Sequence, residues 1–314
     1  VEAEVSATGQ TTAPAHTLYD IVRKLPEGSQ VELEEDGGRL ILRSGRSKFT
    51  LTCLPVEDFP VMAGGEYSHS FTLAVGDLMG LIDRTRFAIS TEETRYYLNG
   101  IYLHEASRDG VDMMRCVATD GHRLASVELP LPDAAAGMPG VIIPRKTVAE
   151  LRKLIEDGAD EVQIELSDTK IRFSCGQTTL TSKLIDGTFP DYQRVIPTDN
   201  DKNMEVNSKA FADAVDRVAA ISSEKSRAVK LSISEGTLVV SANSPESGSA
   251  TEELEASYSG EELEIGFNSR YLLDITQQIG GDIAQLTMAD AASPTILRQA
   301  GDTSALYVLM PMRV

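Results

Sequence analysis

The hydrophobic and polar positions of this chain repeat one pattern of roughly sixty residues five times. Each copy predicts a short strand, an amphipathic helix and then three strands. Two helical segments, Phe71 to Ser90 and Met204 to Ser223, are counterparts. Their apolar stripes contain Leu78, Leu81, Ile82, Thr85 and Ile89 in the first, and Phe211, Val215 and Val218 in the second.

A second class of helix begins at Pro14, recurs from Pro144, and recurs more loosely from Asn268. The order along the chain is therefore one copy of the second class followed by two pairs of unlike copies. Because a repeat architecture stacks similar units, this order predicts that a leading half-unit of roughly 60 residues is absent before Val1.

Composition narrows the class of protein. With 314 residues and 41% hydrophobic content, the chain has enough apolar material for two to three domains. Cys53, Cys116 and Cys175 have no metal-like spacing and the four histidines are scattered, so we expect neither a metal, a cofactor nor a disulfide scaffold. These cysteines fit a reducing cytoplasm. No apolar run reaches membrane-spanning length and no signal peptide is visible, so we expect no membrane contact.

The net charge of −19 opposes bulk binding to nucleic acid. The acids, however, gather in strands and loops such as Val31 to Gly38 and Gly260 to Glu264, whereas the helices carry bases beside their apolar stripes. One interpretation is ordinary solvated helix faces. The other is that the repeat brings all helices to one side of a curved sheet and creates a single basic face.

Five motifs in order resemble one family. They are RSGRSKF (from Arg43), RYYLNG (from Arg95), VATDGHRLA (from Val117), SKLIDGTFPDYQRVIP (from Ser182) and YVLMPMR (from Tyr307). Together they closely resemble the beta subunit of bacterial DNA polymerase III, the sliding clamp. The resemblance runs essentially from Val1 to Val314 and lacks only the first half of the family's first domain. The resemblance implies an α+β DNA clamp fold with three similar domains, here residues 1–62, 63–198 and 199–314. It also implies that two chains close head to tail into a ring, with helices lining the hole and sheets outside.

The resemblance implies a non-catalytic processivity factor rather than an enzyme. Such a ring encircles duplex DNA and tethers the DNA polymerase III alpha subunit, the clamp loader, other polymerases and repair proteins through short apolar peptides. Encirclement needs only a weakly basic lining, which would reconcile the acidic chain with DNA.

The family match places a peptide-binding cleft on two groups of residues. One group is Thr119, Gly121, His122, Arg123, Leu124, Pro190, Val195, Val308 and Met310. The other is Arg95, Tyr97, Leu98, Asn268, Tyr271, Pro294, Pro311, Met312 and Arg313. Position 294 is a departure, because the family often has a small hydroxyl residue where this chain has proline. For the terminal LMPM run, pattern alone favours a plain core strand, although Pro311 indicates an edge or a strand end.

Further residues are expected to face DNA or the second chain. The expected DNA-facing residues are Arg23, Lys24, Arg84, Arg86, Tyr96, Arg145, Lys146, Arg152, Lys153 and Arg217. For Tyr96 and Tyr97, the alternative is ordinary packing in a strand. The expected dimer interface contains Phe49 and Leu51 on one chain and Ala220 and Ile221 on the other.

Two other classes of function compete with this interpretation. Asp120 and His122 could be the acid and base of a hydrolytic site, but Asp and His in a DGHR turn more often form a hydrogen-bonded loop. The sequence has no nucleophile elbow, phosphate-binding loop, metal cluster or dinucleotide fingerprint. A repeat-built scaffold that binds only proteins would share the cleft without needing a ring, and a closed dimer would separate the two.

Overall fold

The computed structural model describes residues 3–60, 66–155, 160–222 and 227–313. It divides into two compact units, Val1–Gly65 and Glu66–Val314. The boundary predicted between residues 62 and 63, and Ser223 at the end of a predicted helical segment, lie outside the described residues.

The first unit contains one helix and a three-stranded antiparallel sheet of order β1-β2-β3. These elements are α1 (Ala15–Val22), β1 (Glu32–Glu35), β2 (Arg39–Ser44) and β3 (Ser47–Thr52). The buried apolar residues of this unit all lie in β2 and β3, and are Leu40, Ile41, Leu42 and Leu51. No residue of α1 is buried, although the helix is amphipathic. This is the first copy of the repeat, and its predicted leading strand is wrong for the described residues, because none of those before α1 forms a strand.

The second unit contains the other four copies. The second copy consists of β4 (His69–Ala74), α2 (Val75–Asp83), β5 (Gly100–Arg108), β6 (Val111–Thr119) and β7 (Arg123–Pro130). The third consists of β8 (Val141–Pro144), α3 (Arg145–Leu154), β9 (Glu161–Leu166), β10 (Lys170–Cys175) and β11 (Thr178–Lys183). The fourth consists of β12 (Lys202–Asn207), α4 (Ser208–Ala219), β13 (Ala228–Ser234), β14 (Thr237–Ser244) and β15 (Gly248–Ser257). The fifth consists of β16 (Leu263–Asn268), α5 (Ser269–Thr276), β17 (Ile283–Met288), β18 (Thr295–Gln299) and β19 (Ala305–Leu309). The predicted order of strand, helix and three strands is confirmed in all four.

Neighbouring copies exchange their leading strands. Strand β4 pairs with β9 while β8 pairs with β5, and β12 pairs with β17 while β16 pairs with β13. One sheet has four strands in the order β11-β10-β9-β4. The other has twelve, in the order β16-β13-β14-β15-β12-β17-β18-β19-β7-β6-β5-β8. Because β19 pairs with β7, the larger sheet runs without interruption from the second copy to the fifth.

The apolar stripes of α2 and α4 are buried as predicted, but the helices are shorter than the predicted segments. The segment from Phe71 begins in β4, and α2 ends at Asp83. The Thr85 hydroxyl donates to the Leu81 carbonyl at 2.6 Å and takes the place of a continuing helical bond. A 3₁₀ turn follows, so the buried Thr85 and Ile89 reach the core from outside the helix.

Tyr96 and Tyr97 lie in a 3₁₀ turn, Glu93–Leu98, so their predicted placement in a strand is wrong. The backbone N–H of Asn99 donates to the carbonyl of Tyr96, which closes the turn locally. The two tyrosine rings meet edge to face at 5.7 Å. None of the helices in the described ranges combines the length and apolar character needed to cross a bilayer.

Candidate functional site

The DGHR segment forms a tight turn between β6 and β7. One oxygen of Asp120, Oδ1, accepts the N–H groups of His122 and Arg123 at 2.9 and 3.0 Å. Gly121 has φ +89°, and a Cβ there would lie 2.6 Å from the guanidinium of Arg95. The Asp120 carboxylate is therefore used to build the turn, as the hydrogen-bonded-loop interpretation predicts. Within the described residues, no group of three or more His, Cys, Asp or Glu side chains could hold a metal ion.

Arg95 covers this turn from the 3₁₀ segment. Its guanidinium donates to the Glu92 carboxylate at 2.8 Å and to the carbonyl of Asp120 at 3.1 Å. The hydrogen bond from Arg95 holds the pKa of Glu92 below its usual value. The structure therefore brings Arg95 and Gly121 of the two predicted groups into direct contact.

Leu124 and Val308 form an apolar floor where β7 pairs with β19. The two residues are register partners, and each is only 2% exposed. They belong to a second, smaller core with Leu98, Val117, Ile142, Phe189 and Tyr192. Val195 and Met310, by contrast, are 50% and 41% exposed. The residues predicted for the cleft therefore include both buried and exposed apolar side chains.

A network of aromatic and charged side chains holds the loop that carries Pro190 and Val195. Tyr102 stacks between His104 at 4.5 Å and Phe189 at 4.8 Å. The Tyr192 hydroxyl lies 3.0 Å from the His104 ring and accepts from Arg115 at 3.0 Å. Arg115 also donates to Glu128, whose carboxylate is buried. Burial lowers the pKa of His104.

The sequence prediction missed this network. Its residues lie on three strands and on the loop after β11, and the only signal was the aromatic pair inside the SKLIDGTFPDYQRVIP motif. His104, Arg115 and Glu128 come together because β5, β6 and β7 are neighbours in the sheet.

The end of the chain links the turn to the fifth copy. The Met310 N–H donates to the carbonyl of His122 at 2.9 Å, and the Met312 N–H donates to Gly266 at 2.9 Å. Strand β19 ends at Leu309, so the LMPM run is core strand only in its first residue. Pro311 lies between the two hydrogen-bonded methionines, and Arg313 is exposed.

Two residues of the second predicted group have structural tasks of their own. The Asn268 side chain caps α5 by accepting the N–H groups of Arg270 and Tyr271. The Pro294 carbonyl accepts from the Asn200 amide at 3.0 Å. Tyr271 stacks against His122 with ring centres 6.2 Å apart, so the start of α5 adjoins the turn.

Most of the predicted DNA-facing bases already have acidic partners. The ion pairs are Arg23 with Asp20, Arg84 with Asp302, Arg86 and Arg152 with Asp83, Lys153 with Glu150, and Arg217 with Glu252. Lys24, Arg145 and Lys146 are exposed and form no ion pair with any described residue. Tyr96 is 53% exposed. The charge of the helices is therefore partly neutralised within the chain.

The predicted interface residues differ in exposure. Phe49 is half-buried, whereas Leu51 is 8% exposed and belongs to the small core of the first unit. Ala220 and Ile221 follow the last helical residue of α4, and Ala220 is exposed while Ile221 is half-buried.

Comparison with known proteins identifies the fold and the family. Models of the N-terminal, central and C-terminal domains of the DNA polymerase III beta subunit match residues 1–63, 72–191 and 193–313. A beta sliding clamp of Caulobacter vibrioides is 53% identical over 314 residues, covering 99% of this chain and 84% of the relative. The Escherichia coli beta sliding clamp is 39% identical over 306 residues, covering 98% and 82%. A crystal structure of the Bartonella birtlesii sliding clamp bound to griselimycin matches with TM-score 0.95 and 53% identity, covering 100% and 84%.

The chain belongs to the DNA polymerase III beta subunit family, the beta sliding clamps. It has the three-domain clamp fold of helices and antiparallel sheets, and its function is that of a non-catalytic processivity factor. The prediction of an absent leading half-unit is not supported, because the N-terminal-domain model already matches residues 1–63.

Proposed function

We propose that two copies of this chain close head to tail into a ring around duplex DNA, with domains at residues 1–62, 63–198 and 199–314. The joint between β7 and β19 carries this proposal. There, the last strand of the fifth copy pairs antiparallel with the last strand of the second copy. Strand β3 is the last strand of the first copy, and β15 is the last strand of the fourth. If last strands of two copies also pair across the joint between chains, β3 of one chain would pair with β15 of the other.

The edges of these two strands favour that pairing. In the described residues, β3 pairs only with β2, and β15 pairs with β14 along its length but with β12 only at its end. Strand β3 carries Lys48 and follows Arg46, whereas β15 carries Glu252, Glu253 and Glu255. Opposite charges across an interface guide the register and suppress wrong partners. Phe49 and Ile221 would add apolar contact, with Ala220 beside them and Leu51 contributing little because it is already buried.

The hole of this ring would be lined by the helices. Lys24, Arg145 and Lys146 are the strongest candidates for DNA contact, since they are exposed and form no ion pair with a described residue. Arg145 and Lys146 lie in the first turn of α3, where the helix dipole disfavours positive charge, so local stability does not explain them. The bases that already have acidic partners would supply a weak, screened positive electrostatic potential; they are Arg23, Arg84, Arg86, Arg152, Lys153 and Arg217. Tyr96 would present an exposed ring to the DNA. Such a lining would let the ring slide.

The cleft beside the DGHR turn would bind short peptides that carry an apolar pair such as Leu-Phe. Their anchors would lie over Leu124 and Val308 between the exposed Val195 and Met310. Methionine side chains adapt to different shapes, which suits a site with several partners. The partners would be the alpha subunit of DNA polymerase III, the clamp loader, other polymerases and repair proteins, all in the cytoplasm.

The similar Bartonella birtlesii clamp was crystallised with griselimycin. We propose that griselimycin also binds this chain, and that it does so at the same cleft. Titration with griselimycin should then displace a labelled peptide ending in Leu-Phe. Simultaneous binding of both would contradict a shared site.

Retention on circular DNA tests encirclement directly. The chain would be loaded by its clamp loader onto a nicked plasmid, and the complex isolated by gel filtration. Cutting the plasmid once should release the protein, because a ring slides off a free end. A protein scaffold without a ring would be retained poorly on both forms, and a simple DNA-binding protein would be retained equally on both.

A further inference from the structure

Arg123 is a buried arginine at the start of β7, with its side chain only 9% exposed. Its guanidinium makes three polar contacts, each to a different part of the second unit. It donates to Asp120 in the turn at 3.2 Å, to Asp274 in α5 at 2.5 Å, and to the carbonyl of Phe87 at 2.6 Å. These contacts join the second copy of the repeat to the fifth.

The same guanidinium lies close to two aromatic rings. Its central carbon is 5.0 Å from the centre of Phe87 and 4.4 Å from the centre of Tyr271. Cation–π contacts of this kind fix the plane of the guanidinium as well as its position. Tyr271 also lies near the ring of His122, with ring centres 6.2 Å apart. Arg123 is thus held on all sides by protein groups.

We propose that Arg123 and Asp274 form a latch that sets the distance between the two halves of the peptide cleft. One half includes the DGHR turn and β7, and the other includes Tyr271 on α5. The latch joins these two elements directly. The Met310 N–H also donates to the carbonyl of His122, so the same turn holds Met310 at the edge of the proposed cleft. This inference rests on the proposed peptide site and changes the role of Arg123 within it from a peptide contact to a positioning residue.

The contacts of Arg123 account for this change of role. Each of its three nitrogens donates to one of these groups, and the side chain is only 9% exposed, so little of the guanidinium is open to a peptide. Removing a buried charge from its partners is strongly unfavourable. Asp274 was not assigned to the cleft from the sequence, and its only described ion pair is the one with Arg123. It therefore provides a way to disturb Arg123 without touching the peptide.

The test is a double-mutant cycle on peptide affinity in the full chain, using Arg123→Met, Asp274→Asn and the double variant. The probe is a fluorescein-labelled peptide ending in Leu-Phe, with griselimycin as a second ligand. Coupling between contacting groups in such networks amounts to about 0.5–2 kcal/mol, so Asp274→Asn should weaken binding by about twofold to thirtyfold. The double variant should bind about as weakly as Arg123→Met alone. Asp274→Glu, which keeps the carboxylate, should restore most of the affinity.

The matched control is Asp213→Asn, which removes an exposed helical carboxylate paired with Lys209. It should leave the affinity for the labelled peptide unchanged. Wild-type affinity in Asp274→Asn would overturn the latch, even if the thermal unfolding midpoint falls, because the pair would then be only structural. Fully additive losses in the double variant would also overturn it, since they indicate that Arg123 acts independently of Asp274. If the wild type binds neither ligand, the proposed cleft itself fails.

Discussion

The first and fifth copies of the repeat have the same class of amphipathic helix but bury it very differently. In the fifth copy, α5 packs against α4, and Leu272 and Ile275 are fully buried. In the first copy, no residue of α1 is buried, and Tyr19 and Val22 are 62% and 44% exposed. The sheet differs as well, since β17 receives β12 as a neighbour, whereas β1 pairs only with β2 among the described residues.

This contrast shows that the amphipathic pattern predicts a helix but not how deeply the helix is buried. Burial in the second unit comes from the pairing of two unlike copies, which supply each other with a second helix and a leading strand. An unpaired copy keeps its secondary structure and leaves its apolar face exposed.

The largest expected effect on stability comes from truncating the equivalent leucines of the first and fifth copies. Leu18 and Leu272 are both the fourth residue of their helices, but Leu272 is fully buried and Leu18 is half-buried. Leu272→Ala should lower the free energy of unfolding by about 2–5 kcal/mol, because it leaves a cavity. Leu18→Ala should lower it by about 1 kcal/mol or less. Hydrogen exchange in urea, followed peptide by peptide, measures both losses, and equal losses would break the comparison.

The dimer joint gives the next largest effect. Ile221→Asp should split the proposed dimer, because it removes about 1.5–3 kcal/mol of apolar burial and forces a charge into the joint. Native mass spectrometry at low protein concentration measures the outcome. Val111→Asp is the matched control, since Val111 is 55% exposed on the β5–β6 hairpin and should leave the dimer intact. An unchanged dimer mass for Ile221→Asp would contradict the proposed joint.

A smaller effect is expected when the charge is reversed at the helix bases that form no ion pair with a described residue. The variant Lys24→Glu, Arg145→Glu and Lys146→Glu should shorten retention on circular DNA and flatten its salt dependence by up to about one unit per lost phosphate contact. Its control reverses three bases on strands, Arg172, Lys183 and Lys230, and should behave as the wild type in charge-dependent retention. Equal retention of the two variants over a range of salt would show that the helix bases do not line the hole.

The smallest effect is a pH dependence of the stability of the second unit. It is expected there because His104 lies in the buried network of that unit. Burial lowers the pKa of His104 in the folded chain, so the unfolded chain binds a proton more readily. Neutral His104 therefore makes its full contribution to the free energy of unfolding above the unfolded-state pKa of about 6.5. This contribution is lost as pH falls through the lower pKa of His104 in the folded chain. His104→Gln should reduce this acid sensitivity in thermal unfolding scans between neutral and acidic pH. An unchanged pH dependence would mean that His104 is not the group responsible.

The sequence predicted the elements of this fold more reliably than their boundaries. The strand–helix–three-strand order is set by local hydrophobic periodicity, and it is confirmed in four copies. The end of α2 was missed because the Thr85 hydroxyl replaces a backbone bond, which periodicity does not reveal. The strand exchange between copies was also invisible, since it depends on contacts far apart in the chain.

At the candidate site, the sequence predicted the local turn but not the partners of the charged side chains. The DGHR turn follows from Asp-Gly chemistry, and Asp120 indeed caps it. The ion pairs of Arg84 and Arg152 could not be anticipated, because Asp302 and Asp83 reach them only in the folded chain. Charge periodicity alone therefore overstated how many helix bases are unpaired.

The most direct test of the account compares exposed apolar residues of the two units in one titration. A labelled peptide ending in Leu-Phe is titrated against the wild type and two double variants. The first variant combines Met310→Ala with Met312→Ala. The second combines Leu54→Ala with Phe59→Ala, and serves as the control because these two side chains are 72% and 62% exposed in the first unit. We expect micromolar affinity for the wild type, about −8 kcal/mol, and a loss of about tenfold or more only in the methionine variant. Matching curves for the wild type and the methionine variant, or an equal loss in the Leu54 and Phe59 variant, would contradict a peptide cleft at the chain end of the second unit.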